Sequence, residues 1–566
     1  MHATRFPAFL LLILLLPCLS CAEAQPVSIG IDLDTRIGAM YPMWAYWGYD
    51  EPNYTYMANG RKLIREISEL SPVPVYFRAH SMLNTDEGPR AALKWGSTNA
   101  YTEDAAGNPV YDWTIVDRIV DTYVENGAKP MMEVGFMPKA LSSKPEPYRH
   151  HWSPADPYGD IFTGWAYPPK DYAKWAELIF QWVRHSVDRY GADEVATWWW
   201  DVWNEPDIPY WKGTREEYFT LYDYTADAIK RALPAARVGG PTTTNPGLGD
   251  DASGRFLADF LAHCSAGTNY ATGQTGSPLD FISFHAKGSP RVMDDGRYVR
   301  MNMAPQLDAI DAGFQIVAAS PFKALPIIIG ESDPEGCAAC SVDYHPANAY
   351  RNGTMYASYT ASSFAKKYEL ADRRGINLEG AVSWSFQFEG KPWFAGFRAM
   401  ATNGVDKPVL NVFRMFGMMG GDRVAVSPSD APSAERVIQE GVRGDLPDIN
   451  ALASRDGDAA YVMVWNYHDD DLPALAADVS VHLKGIPAGR VKLSHYRIDE
   501  NHSNAYTVWR EMGAPQQVTR EQYARLEASG QLELLTSPMW IDAPAGEATI
   551  AFSLPRQGVS LLQLSW

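Results

Sequence analysis

Cysteine is scarce in this chain of 566 residues: five occur, and Cys18 and Cys21 fall in the opening stretch. The remaining three, Cys264, Cys337 and Cys340, are an odd number, which argues against a disulfide framework. Cys337-Ala-Ala-Cys340 has the spacing of half a zinc site, but zinc takes four ligands and no second such pair exists. The pair reads as a local disulfide or paired thiols stiffening a loop. Basic residues are also outnumbered, 49 against 68 acidic, for a net charge of −19. That balance disfavours nucleic acid and anionic membrane surfaces as partners. Long apolar runs are missing beyond the start of the chain, so no membrane span is expected. Phe9–Leu16 is apolar but too short to span a bilayer. With Arg5 before it and Ala22-Glu-Ala24 after it, residues 1–24 read as a cleavable secretory leader, placing the protein outside the cell or in a periplasm. A lipoprotein anchor at Cys21 is disfavoured, because Cys18 stands where an aliphatic residue is wanted. There is no internal repeat or low-complexity tract, and nothing sets an oligomeric state.

What the chain does have is regular alternation of strand-like and helix-like segments over residues 38–418. Apolar runs occur at Pro74–His80, Pro130–Phe136, Ala196–Glu205, Arg237–Gly240, Asp280–Ala286, Leu325–Glu331 and Leu378–Phe386, and a segment near Met40–Trp47 would make eight. Between them lie helical patterns. One follows Asp112 and ends at Asn126-Gly127, one opens at Pro169, and one follows the capping box Thr214–Glu217. Eight such units predict an α/β fold, a (β/α)8 TIM barrel, with long insertions at Ser81–Asp112 and Pro138–Pro168 on its catalytic face. The pattern changes after it. Val437–Val442, Ala459–Tyr467, Asp478–Leu483, Val491–Ile498 and Ala548–Leu554 read as short strands, with a helical piece in Pro515–Ser529. Residues 419–566 are therefore expected to form a C-terminal β-sandwich domain, a scaffold on the barrel's flank rather than a carbohydrate-binding module. The strand in residues 25–37 is a candidate to join it.

Two apolar strands end in glutamate. Trp198-Trp-Trp-Asp-Val-Trp-Asn-Glu-Pro206 stops where Pro206 cannot donate to a ladder, and Leu325-Pro-Ile-Ile-Ile-Gly-Glu331 stops at its glutamate. They count as the fourth and seventh barrel strands. Catalysis in such barrels happens at the strand tips, and paired carboxyls are the apparatus of glycoside hydrolysis. Asp201 and Glu133 lie inside their strands and read as hydrogen-bonded core acids. Asp207 and Asp333 lie just past the tips, and Glu335 follows.

The strand-four Asn-Glu and strand-seven Glu resemble the retaining glycosidases of clan A. More narrowly, the chain resembles glycoside hydrolase family 39, which holds β-xylosidases and α-L-iduronidases. The matching stretches are Gly135–Leu141, Trp165–Tyr172, Trp203-Asn-Glu-Pro206, Val238-Gly-Gly-Pro241, Phe281–His285, Ser383-Trp-Ser-Phe386 and Asn403–Pro408. The resemblance covers the barrel and most of the sandwich. It implies Glu205 as acid/base and Glu331 as nucleophile. Asn204 would hydrogen-bond the sugar 2-hydroxyl, and His80 and His285 would bind from strands two and six. Phe136 would line the subsite, Trp384 would floor it, and Glu389 would take sugar hydroxyls. Two departures stand out: Arg78-Ala79-His80-Ser81, and Ser332-Asp333 after the nucleophile, leading into Pro334–Cys340.

The implied mechanism is double displacement with no metal or organic cofactor, on an oligosaccharide. Glu205 has to hold a proton, and Trp203, burial and anionic Glu331 are expected to raise its pKa. A β-linked xylose at a non-reducing end is the expected substrate. An α-L-iduronide would need a cation for its carboxylate, for which Lys287, Lys391 and Arg398 are candidates. A non-catalytic glycan-binding barrel is the reading from another class, and the presence of both glutamates argues against it.

Overall fold

The computed structural model describes residues 27–85, 96–149, 158–335, 337, 339–384, 389–398 and 400–566. Residues 1–26, with Cys18 and Cys21, lie outside the described residues, as does Phe386.

The barrel strands are Tyr46–Tyr49, Tyr76–Ala79, Lys129–Val134, Trp199–Val202, Arg237–Thr243, Phe281–His285, Ile327–Glu331 and Leu378–Ala381. Each pairs in parallel with the next. The eighth strand breaks at Val382 and resumes as Ser383–Trp384, which pairs with the first strand at Ser383↔Trp47 and Trp384↔Gly48. This closes the ring and leaves no open edge. The closure presses the Trp384 ring against Gly48, where a Cβ would have no room. The interior is packed, not hollow: Tyr46, Met131, Trp199, Phe281, Ile328, Val382 and Trp384 form one buried cluster inside it.

The helices follow their sequence signals with small shifts. Thr114–Glu125 buries Val116, Ile119, Val120 and Tyr123, one face at helical spacing. The next helix begins at Tyr172 rather than at Pro169, because the Asp171 carboxylate accepts from the backbone N–H of Ala173 and Lys174 and sets the N-terminus there. Thr214 and Glu217 form the expected reciprocal capping box.

The fourth strand ends sooner than its sequence suggests. Regular pairing stops at Val202, and Trp203 (φ 74°) and Glu205 (φ 45°) both take left-handed backbone. Such conformations cost about 1–3 kcal/mol each in non-glycine residues and persist where surroundings enforce them. Here the Glu205 N–H donates to Thr242 O at 2.9 Å. The tip is thus a turn that aims Glu205 inward, and simple strand alternation does not reach it.

A second sheet has nine strands: Val27–Ala39, Asp422–Pro428, Asp448–Asp456, Ala459–Tyr467, Ala477–Lys484, Gly489–Ile498, Glu533–Ala543, Glu547–Leu554 and Val559–Ser565. Val27–Ala39 is an interior strand of it, antiparallel to Asp422–Pro428 and parallel to Ala477–Lys484. The sheet encloses its own core of Ile29, Ile31, Val462, Val481, Val491 and Leu562, among others. One expected strand is absent. Val437–Val442 falls largely in the helix Ala434–Glu440, capped by Ser433, whose hydroxyl accepts from Arg436 N, and stopped at Gly441 (φ 70°). Its apolar residues are spaced for either state, and the serine cap decides for helix.

The two sheets' cores meet. Leu452, Met463, Trp465, Tyr467 and Leu561 belong to the same buried apolar body as Phe364, Phe413 and Phe416 of the barrel's outer helices. At that seam the buried carboxylate of Asp448 accepts from Ser362 Oγ (2.6 Å) and Trp465 Nε1 (3.0 Å), with Lys366 Nζ at 3.3 Å.

Candidate active site

Arg78 and His80 are two apart at the end of the second strand, so both side chains point into the barrel. Arg78 is fully buried. Its Nε donates to Asp201 Oδ2 at 2.8 Å, and its Nη2 donates to Asn204 Oδ1 (3.1 Å) and Trp203 O (3.2 Å) and stands 3.0 Å from Glu133 Oε2. Its Nη1 is 3.8 Å from Glu331 Oε1. One guanidinium therefore ties strands three, four and seven together beneath the strand tips. Asp201 completes its bonding through the hydroxyls of Thr242 and Ser283, at 2.6 and 2.8 Å. Asp201 and Glu133 have the core roles expected of them, and both are buried.

His80 bonds Glu133 Oε2 through Nδ1, while its Nε2 lies 3.4 Å from both Asp50 Oδ1 and Glu331 Oε1. Burial disfavours its charge, but Glu133, Glu331 and Asp50 outweigh burial and hold its pKa up at about 9. His80 is thus a cation beside the strand-seven glutamate.

Glu205 and Glu331 converge, 9% and 2% exposed. His285 stands between them, with Nδ1 2.9 Å from Glu205 Oε1 and Nε2 3.7 Å from Glu331 Oε1. Lys287 reaches both as well, its Nζ 2.5 Å from Glu331 Oε2 and 3.8 Å from Glu205 Oε1. One ammonium touching both carboxylates gathers the two glutamates into one small volume at the strand tips.

The electrostatics of Glu205 correct the sequence expectation. Burial does push its pKa up, but the Lys287 ammonium and the His285 hydrogen bond outweigh burial and the Glu331 charge, so the carboxyl is held below its ordinary value. Glu331 is held well below the usual carboxylate range: burial opposes its charge, and His285, Lys287 and His80 overcome it. In the free enzyme both glutamates are anions around one lysine.

That lysine belongs to a wider network. Glu335 Oε2 is 2.5 Å from Lys287 Nζ, and Glu335 Oε1 is 2.7 Å from Arg398 Nη1. Arg398 Nη2 is 2.5 Å from Asp50 Oδ2, which closes the circuit to His80. Asp333 is buried beside this chain of charges, and among the described residues neither of its oxygens has a hydrogen-bond partner. Burial and the nearby Glu335 push its pKa up to about 8. Cys337 and Cys340 are joined in a disulfide just beyond Glu335.

The other sequence-predicted residues divide. Asn204 is buried at the site with its oxygen on Arg78, which fixes the amide with its Nδ2 donor turned elsewhere. Phe136 packs its ring 5.8 Å from His80, 5.3 Å from Trp203 and 4.7 Å from Trp165. Trp384 lies 4.4 Å from the His80 ring, with the Arg78 and Arg398 guanidiniums 5.4 and 5.7 Å from its centroid. It is fully buried, so it underlies the site as packing and presents no open face. Glu389 stands apart. It is exposed in a turn, and among the described residues no ion pair joins it to the Glu205–Glu331 cluster.

Sequence reasoning did not count Arg78, Asp50 and Glu335 among the site residues. Arg78 was findable from its parity with His80. Asp50 directly follows the first strand, whose true end at Tyr49 lies beyond the expected Trp47. Glu335 stands among the acids near the strand ends in the sequence, but its place beside Lys287 and Arg398 depends on how the strand-seven exit folds back. Among the described residues no group of three or more His, Cys, Asp or Glu is arranged to hold a metal ion, and no helix is long and apolar enough to cross a membrane.

Comparison with known proteins places this geometry in a family. The chain is 28% identical over 501 residues to a β-xylosidase of Geobacillus stearothermophilus, covering 86% of each chain. It is 24% identical over 445 residues to an α-L-iduronidase of Mus musculus, covering 74% of this chain and 63% of the mouse enzyme. Its fold superposes on the crystal structure of a GH39 enzyme from Xanthomonas axonopodis pv. citri with a TM-score of 0.73 at 23% identity, over 97% of this chain and 99% of the other. The family model of the glycosyl hydrolases of family 39 matches residues 38–534, and the chain belongs to that family.

Proposed function

We propose that this glycoside hydrolase is a retaining exo-glycosidase that releases β-D-xylose from the non-reducing ends of xylo-oligosaccharides or related β-xylosides. The observation that carries the reading is the convergence of Glu205 and Glu331 on one ammonium, at 3.8 and 2.5 Å, which gathers at one place the two carboxyls that glycoside hydrolysis uses. Glu331, kept ionised by its cations, attacks the anomeric carbon, and Glu205 donates a proton to the leaving oxygen. Water then enters, Glu205 removes its proton, and the glycosyl–Glu331 ester is hydrolysed with overall retention. Asn204, oriented by Arg78, holds the 2-hydroxyl. Glu205 takes up the proton it needs when substrate displaces Lys287 from between the carboxylates, which removes the charge that lowers its pKa. The similarity to β-xylosidases over most of the chain supports xylose as the sugar. A panel of 4-nitrophenyl glycosides tests it, with NMR of the first-formed product. The β-xyloside should be the best substrate and its product should retain configuration; an inverted product would refute the mechanism.

A second reading, an α-L-iduronide or other uronide as substrate, is favoured by one observation: Lys287 and Arg398 are two cations held at the site by Glu335. The same glycoside panel with uronides decides between them.

We also propose that the enzyme acts outside the cytoplasm. The apolar run Phe9–Leu16 with Ala22-Glu-Ala24 supports this. So does the Cys337–Cys340 disulfide, a bond that persists in oxidising compartments.

A further inference from the structure

Glu335 bridges the two cations beside the catalytic pair, with one oxygen on each: Oε2 to Lys287 Nζ at 2.5 Å and Oε1 to Arg398 Nη1 at 2.7 Å. A planar carboxylate spanning an ammonium and a guanidinium is the pairing a sugar carboxylate would make with the same groups. Lys287 also touches Glu331, so the bridge lies within one sugar ring of the anomeric carbon. A β-D-xyloside and the corresponding uronides differ only at C5, where a carboxylate replaces one hydrogen. A single group at that place can therefore separate the two substrate classes.

The bridge is built in rather than incidental. The exits of strands six and seven are stitched together by Gly288 N donating to Asp333 O (3.1 Å) and Glu335 N donating to Gly288 O (3.2 Å). Gly288 directly follows Lys287, and a Cβ there would stand 2.6 Å from the Tyr359 hydroxyl and 3.1 Å from Pro334 Cα. The backbone of the lysine and that of the glutamate thus form one rigid pairing. Tyr350 donates to Pro334 O at 2.5 Å from the other side. Glu335 is mostly buried, its side chain 14% exposed.

We propose that Glu335 is a specificity-determining residue, an internal carboxylate that occupies the uronate position and confines the enzyme to neutral pentosides. It satisfies Lys287 and Arg398 from within the chain. A uronide entering the wild-type site meets a negative charge where its own must sit, and both cations are already paired. A xyloside brings nothing to that position and is unaffected. Removing the glutamate leaves the cations in place and opens the carboxylate position to the substrate.

The proposal rests on the glycosidase reading above, and its test separates the two. Glu335→Ser and Glu335→Ala are assayed with 4-nitrophenyl β-D-xyloside, β-D-glucuronide and α-L-iduronide, after circular dichroism has shown each variant folded. The ratio of uronide to xyloside kcat/KM should rise at least about tenfold for one of the two uronides. Sodium formate, a small carboxylate that fits the vacated position, should inhibit the gained uronide activity competitively and leave the wild type unchanged. Thermal shift with sodium glucuronate and sodium iduronate against xylose provides a readout without turnover: the variants, not the wild type, should be stabilised by a uronate. An unchanged ratio in a folded variant with no uronate-specific stabilisation would overturn the proposal, and so would a gain that formate does not touch. If the wild type hydrolyses none of the glycosides, the glycosidase reading fails. The uronate-specific thermal shift would still judge Glu335.

Discussion

Lys287 Nζ stands 2.5 Å from Glu331 Oε2, closer than any other cation in the site comes to that carboxylate. The lysine's pKa is raised well above its ordinary value: burial opposes the charge, and Glu331, Glu335 and Glu205 more than restore it. It is a permanent cation, and the protonation of both Glu205 and Glu331 follows from where it sits.

Replacing it shows this directly. In Lys287→Met both glutamates lose an opposing charge that lowers their pKa, so both pKa values rise. The acid limb of kcat/KM follows ionisation of Glu331, and the alkaline limb follows loss of the Glu205 proton. Both limbs should therefore move to higher pH, by roughly 1 unit for loss of a close opposite charge. A pH–rate profile on a β-xyloside checks it. A profile that loses height without moving would mean that Lys287 positions substrate but does not set the proton inventory.

Asp333 makes a stability prediction of definite sign. Its pKa is about 8 in the folded protein against an ordinary 3.8. Between those values the unfolded chain has released its proton while the folded chain keeps it, so stability falls as pH rises from about 4 to about 8. Asp333→Asn removes that slope and keeps the shape. Its Tm should approach or exceed that of the wild type at pH 9, with the gain largest there and shrinking towards pH 5. Melting curves at several pH values test it. A variant equally destabilised at every pH would show that Asp333 is ionised and paired.

The barrel was legible because its strands are short apolar runs with sharp ends, and burial on both faces writes itself into sequence as continuous hydrophobicity. Glu205 and Glu331 were legible for the same reason, each closing such a run. The electrostatics were not. The pKa of Glu205 turns on Lys287, a residue 82 positions away in sequence, and only the fold brings its Nζ within 3.8 Å. Local context, Trp203 and burial, pointed the other way. The second sheet was half legible. Strands such as Ala477–Lys484 alternate clearly, whereas Glu533–Ala543 is exposed along most of its length and carries little burial signal. Val437–Val442 misled because a short apolar segment fits either period, and its serine cap decided the matter.

Asp448 tests whether barrel and sheet unfold together. It is fully buried at their seam with Ser362, Trp465 and Lys366 around it. Asp448→Ala leaves the buried Lys366 ammonium without its carboxylate, a change that costs about 3–5 kcal/mol. Because one apolar core runs through both parts, thermal unfolding should remain a single transition at a lower Tm. Two resolved transitions, or a soluble C-terminal fragment after limited proteolysis, would show the sheet to be an independent module.

The roles of Glu205 and Glu331 separate under substitution. Glu331→Ala should abolish activity on every glycoside, because in the proposed mechanism Glu331 alone forms the ester. Glu205→Ala should be selective. On substrates with poor leaving groups it should lose roughly 100- to 10,000-fold, the usual worth of general acid–base catalysis. Dinitrophenyl glycosides need little protonation and should still glycosylate Glu331. The ester then accumulates for want of a base, giving a burst in the first turnover and a mass increment on the peptide that carries Glu331. Azide attacks without a base, so it should restore turnover of Glu205→Ala and yield a glycosyl azide of retained configuration. In Glu331→Ala azide enters from the nucleophile's vacated side, and any product should be inverted. Equal losses on good and poor leaving groups in Glu205→Ala, with no azide rescue, would remove Glu205 from the role of acid/base and turn the search to Asp207 and Glu335, carboxylates on the strand-four and strand-seven exits.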